Sequence, residues 1–121
     1  MYHFREETLK NGNKTEKVLI IDFDEPELAL LGEYLMADAS LLSGEIIHDF
    51  DQVLHGEKEQ IHISGNRCGL EIAQEETFVY DLFEDMGVDS YPEVCIQTRK
   101  LRELTIIWLE RLQSFRKKYN P

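Results

Sequence analysis

The chain has 121 residues, 24 of them Asp or Glu and 13 Lys or Arg, which gives a formal net charge of −11. That length fits one domain, and 42% apolar with 10% aromatic residues is enough for a core, which argues against intrinsic disorder. So acidic a chain is a poor direct binder of nucleic-acid backbone, since phosphate contact needs a net basic surface.

Residues 2–9 and 16–23 read as a hairpin around Asn11-Gly12-Asn13, because Asn and Gly tolerate positive φ. The second arm, Val18-Leu19-Ile20-Ile21, is continuous and β-branched, the pattern of an inner strand covered on both faces. A helix follows, with Asp24 as N-cap, Pro26 in its first turn and Glu27 completing a D-x-x-E capping box. Leu28, Leu31, Leu35, Ala39 and Leu42 recur at helical spacing until Ser43-Gly44 interrupts them. A second helix is expected over 44–55, with Ile46, Ile47, Phe50, Val53 and Leu54 on one face and Gly56 as its stop. One kinked helix is the alternative.

The period then changes from helical to alternating. Ile61 and Ile63 flank His62, Gly65-Asn66 turns, and Cys68, Leu70 and Ile72 alternate with Gly69 and Glu71. Glu75-Glu76 turns again, and Phe78, Tyr80 and Leu82 alternate with Val79 and Asp81, so an antiparallel meander is expected. Residues 86–92 read as a loop and Val94-Cys95-Ile96 as a short strand. Thr98 is a candidate N-cap for the last helix, whose Leu101, Leu104, Trp108, Leu109, Leu112, Phe115 and Tyr119 form one apolar stripe. The predicted fold is α+β: an N-terminal β-hairpin, two helices, an antiparallel β-meander, and an amphipathic C-terminal helix packed on the sheet.

Charge is unevenly spread along these elements. Residues 1–21 carry +1, residues 22–93 carry −17 and residues 94–121 carry +5. Asp22, Asp24, Asp38, Asp49, Asp51, Glu57, Asp81, Glu84, Asp85 and Asp89 are among the acids expected to be exposed in the middle block. Such a field suits electrostatic steering of a basic partner.

Catalytic and metal-binding patterns are thin. Val18 to Asp24 has the outline of an apolar strand ending in Asp-x-Asp, the start of the haloacid-dehalogenase phosphatase motif. Pro26 stands where that motif wants Thr or Val, so a small Mg-dependent phosphohydrolase using Asp22 and Asp24 is kept as an alternative only. His48, His55 and His62 fall seven apart, and two helical turns of roughly 10 Å separate His48 from His55, too far to share one ion. Cys68 and Cys95 read as buried free thiols, although Arg67 is placed to lower the Cys68 pKa. Ser40, Ser43 and Ser64 sit in no nucleophile elbow. No metal, cofactor or catalytic residue is expected. No secretory signal is expected from Met1-Tyr2-His3-Phe4-Arg5-Glu6-Glu7, and no membrane-spanning run occurs, so a cytoplasmic protein is the expectation.

The order Gly44-Glu45-Ile46-Ile47-His48-Asp49-Phe50-Asp51-Gln52-Val53-Leu54-His55-Gly56, then the meander, then the amphipathic last helix resembles bacterial immunity proteins of contact-dependent inhibition and related polymorphic toxin systems. The same stretch, roughly 44–118, is also similar to a small acidic enterobacterial family of unassigned function. The resemblance to immunity proteins implies a non-enzymatic cytosolic protein that neutralises a basic toxin domain, frequently a nuclease, by covering its active site. Charge and exposure, rather than the resemblance, select the expected contacts: Asp49, Asp51, Glu57, Glu84, Asp85 and Asp89, with Tyr80 and Tyr91 as aromatic anchors. A homodimer joined through a helix or sheet edge is the other alternative, with Ile106 and Ile107 on the outer face of the last helix.

Overall fold

In the computed structural model, which describes residues 1–83 and 90–119, strands β1 (Tyr2–Asn11) and β2 (Lys14–Phe23) pair antiparallel along their whole length. Gly12 takes a φ of 65° at the first position of a two-residue loop, where primed hairpin turns put glycine. The expectation of a covered inner strand fails for β2. It pairs only with β1, and only Leu19 and Ile21 are fully buried. The two-stranded ribbon has one face on the core, and the tip half, residues 5–17, is exposed throughout.

A helical run over 26–42 comes next. It begins as a 3-10 turn (Pro26–Leu28), continues as α1 (Ala29–Glu33), widens into a π segment (Tyr34–Ala39) and closes as α2 (Ser40–Leu42). The expected capping box does not form. Glu25 is the extended residue before the turn, with no side-chain cap, and the Asp24 carboxylate faces His3 across the ribbon at 3.5 Å. Pro26 at the first position fixes φ and needs no partner for an N–H, so the turn starts without a cap. Ser43, at a φ of 49°, ends the run, and α3 (Gly44–Leu54) begins. Ile46, Phe50 and Val53 of α3 are buried, and Gly56 follows its end at a φ of 75° as expected.

Strands β3 (Gln60–Ser64), β4 (Cys68–Ala73), β5 (Glu76–Asp81) and β6 (Val94–Gln97) form an antiparallel sheet in that order. Strand parity is set by burial. Leu70, Ile72, Thr77, Val79 and Val94 face the helices, whereas His62, Glu71, Phe78 and Cys95 form one row on the other face. Cys95 is therefore exposed, against the expectation of a buried thiol; in Val94-Cys95-Ile96 every residue is apolar, so alternation gives no parity.

Helix α4 (Thr98–Tyr119) packs against α3, the π segment and strands β2, β5 and β6. Three hydroxyl relays pin it. Thr77 donates to Thr98, which donates to the Ala73 carbonyl (2.8 and 2.6 Å). Tyr34 donates to Thr105, which donates to the Leu101 carbonyl (2.9 and 2.7 Å). Trp108 Nε1 donates to Ser40, which donates to the Leu35 carbonyl (2.9 and 3.0 Å). The middle hydroxyl of each relay, on Thr98, Thr105 and Ser40, accepts once and donates once. Thr98 is thus a tie to the sheet and the first residue of the helix, not its cap. On the outer side Ile107 is 41% exposed, but Ile106 is half-buried. The core joins all these elements around Trp108, Tyr34 and Phe50, and no helix of the described residues is long and apolar enough to cross a membrane.

Candidate functional site

Two acids expected at the surface are buried instead. Asp38 is 1% exposed, and the π segment turns its carboxylate onto the β3–β4 turn. There it accepts the backbone N–H groups of Asn66 (2.5 Å), Arg67 (3.2 Å) and Cys68 (2.8 Å). Gly65 is required beside it, because a Cβ there would overlap the carboxylate. Asp81 is 4% exposed and clasped by Arg67, with Nε–Oδ1 at 3.1 Å and Nη2–Oδ2 at 2.9 Å. It also accepts the N–H groups of Phe83 and Tyr91, both at 2.9 Å, and so holds both flanks of residues 84–89.

The electrostatics of this cluster follow from its geometry. Burial pushes the Asp81 carboxyl up, but the N–H of Tyr91, the Arg67 guanidinium and the N–H of Phe83 outweigh it and hold the group below its ordinary value. Burial opposes the Arg67 charge in turn, and the Asp81 pair more than offsets that. Cys68 is the buried free thiol that was expected, and Arg67 does not activate it. Burial pushes the Cys68 thiol up, Asp38 and Asp81 add to it, and the Arg67 charge is spent on Asp81. Cys68 is a core thiol. Cys95 donates to Glu76 Oε2 at 2.8 Å, and that hydrogen bond raises its pKa.

The surface that remains open is the outer face of the four-stranded sheet. No helix of the described residues covers it, and Phe78 is 44% exposed. Gly69 lies opposite Tyr80 and has no side chain because the Tyr80 ring occupies that space. The ring stacks on His62, centroids 6.4 Å apart, and His62 Nδ1 lies 2.6 Å from Glu71 Oε1. Between β4, β5 and the chain leading into β6 lies a groove of about 690 Å³ lined by Glu71, Phe78, Tyr80, Tyr91, Pro92 and Glu93, with Asp81 and Ser90.

The expected contact residues divide between faces. Tyr80 and Tyr91 meet at this groove. Asp49 and Asp51 lie on α3, on the opposite side of the sheet; Asp49 is half-buried, and Asp51 is paired with Arg102 of α4 at 2.7 Å. Glu57 is exposed just after α3. Glu84, Asp85 and Asp89 lie outside the described residues. Sequence reasoning missed the row His62, Glu71, Phe78 and Cys95, whose signal was the parity fixed by buried Leu70, Ile72 and Val79. Elsewhere, Asp22 accepts Arg5 Nε at 2.5 Å at the base of the ribbon, and Asp24 and His3 are its neighbours. His48, His55 and His62 are all exposed, and the described residues hold no group of three or more His, Cys, Asp or Glu placed to bind a metal ion.

Over 119 residues the chain is 29% identical to a Bacillus cereus protein named "Immunity protein", and the match spans 98% of this chain and 95% of that protein. No protein-family model matches the chain. No solved structure matches it.

Proposed function

We propose that this chain is an immunity protein: a non-catalytic inhibitor that binds a cognate toxin domain and blocks it. The observation that carries this reading is the end-to-end similarity to the B. cereus immunity protein, which leaves no large part of either chain unmatched. In this reading residues 1–121 act as one domain in the cytoplasm of a bacterium, and the system is one of contact-dependent inhibition or a related polymorphic toxin. The −17 charge of residues 22–93 makes a basic toxin the natural partner, with a nuclease the class whose phosphate-binding site acidic side chains would occupy.

The binding face in this proposal is the outer face of the sheet. Aromatic anchors surrounded by polar groups supply most of the energy at protein interfaces, and Phe78, Tyr80 and Tyr91 lie here beside Glu71 and Glu93. Glu84, Asp85 and Asp89 stay in the proposed contact set because they precede Tyr91 in the chain. Asp49 and Glu57 belong to a separate acidic flank, and Asp51 already holds Arg102.

Co-expression tests the function. The toxin domain encoded beside this chain is produced in cells with and without it. The expected result is survival only with the chain. Equal killing in both would overturn the immunity reading.

A further inference from the structure

We infer that the groove between Tyr80, Phe78 and Tyr91 is a receptor for an arginine side chain of the partner, an inference that rests on the toxin-binding reading and names the chemistry that face selects. The groove combines three aromatic side chains with the carboxylates of Glu71 and Glu93, and no Lys or Arg among the described residues lines it. Aromatic faces attract cations, and a planar guanidinium stacks on a ring while donating sideways to a carboxylate, which an ammonium does less well.

The protein already makes this arrangement once nearby, with Tyr91 shared between the two. Arg67 lies 4.4 Å from the centroid of Phe83 and 5.5 Å from that of Tyr91, with its Nε and Nη2 engaged on Asp81. The internal cation is paired with Asp81, and the exposed ring of Phe78, with the part of Tyr80 not covered by Gly69 and His62, is left to an external one. Glu71 is held in place by His62 Nδ1 at 2.6 Å and Gln60 Nε2 at 3.2 Å, so one carboxylate of the receptor is oriented before any ligand arrives. Phe78 and Tyr91, 44% and 41% exposed, would lose water-facing apolar surface on occupation.

The test is an NMR titration of the whole chain with the blocked tripeptide acetyl-Gly-Arg-Gly-amide at low salt. The control replaces arginine by citrulline, its neutral isostere. The expected result is saturable shifts centred on Glu71, Phe78, Tyr80 and Tyr91, with citrulline binding weaker by about tenfold. Tyr80→Ala and Glu93→Gln should each weaken arginine binding by about fivefold, with thermal unfolding unchanged in Glu93→Gln. Shifts elsewhere only, or equal shifts from both peptides, would overturn the inference. If the peptide fails but Tyr80→Ala with Tyr91→Ala abolishes protection, the binding face stands and the arginine receptor falls. If the peptide binds as stated and co-expression gives no protection, the receptor stands and the immunity reading falls.

Discussion

Asp38 and Asp81 do different work with the same functional group. Asp38 gathers three consecutive N–H groups of a turn, and Asp81 neutralises a half-buried guanidinium and ties two flanks of a loop. Removing either acceptor leaves buried donors without partners, at about 1–3 kcal/mol each. Asp38→Ala should therefore cost about 3 kcal/mol or more, and Asp38→Asn less, as read from urea midpoints. Arg67→Ala should cost about 3–5 kcal/mol, because it strands the buried Asp81 charge. The pH dependence has a definite sign. The folded pKa of Asp81 is depressed, so its contribution is present above the unfolded value of about 3.9 and is lost as pH falls through the lower folded value. Acid unfolding monitored by circular dichroism should show Asp81→Asn less sensitive to pH below about 4 than the parent chain. Cys68 and Tyr34 are raised by burial, so their contribution is full below the ordinary thiol and phenol values and is lost above roughly pH 9–10. Neither buried carboxylate was legible in the sequence. An Asp reads as exposed until the backbone donors that surround it are placed, and those come from residues 28 to 30 positions away in the case of Asp38.

At the scale of elements, local pattern carried most of the fold. Asn11-Gly12 fixed the hairpin turn, the stripe Ile46, Phe50 and Val53 fixed α3, and alternation through 61–81 fixed the meander. Features decided by neighbours did not show. Continuous apolar character in Val18-Leu19-Ile20-Ile21 reads as an inner strand, yet one face of β2 meets the helices and its partner is β1 alone. The strand parity of β5 was equally hidden, since Phe78 and Tyr80 compete with Thr77 and Val79 for the inner face, and the threonine wins because Thr98 accepts its proton. That same parity puts Tyr80 on the outer face beside His62 and Glu71, two neighbours that the sequence did not single out for this face. Local stability should follow packing: hydrogen exchange should be fastest in residues 5–17 of the ribbon and slowest in β4 and α4. Trp108→Phe should lose the bond to Ser40 at about 1 kcal/mol, and Trp108→Ala about 3–5 kcal/mol, as read by chemical denaturation.

For the whole molecule, the three charge blocks fold onto one another. Arg102 of α4 meets Asp51 of α3, and Lys118 near its end meets Glu6 of the ribbon, so part of the +5 of the C-terminal segment is spent inside the fold. Such surface pairs add little stability, and among the described residues Glu93, at the groove of the sheet face, takes part in none of them. Association with a basic partner should therefore slow as salt rises from 0.05 to 0.5 M, with dissociation changing far less, as stopped-flow kinetics would show. The most direct measurement of the central claim is survival of toxin-producing cells carrying the Tyr80→Ala, Tyr91→Ala chain, after its unfolding has been matched to the parent. Loss of protection by this folded variant is the predicted result. Protection equal to that of the parent chain would contradict the assignment of toxin binding to the outer sheet face.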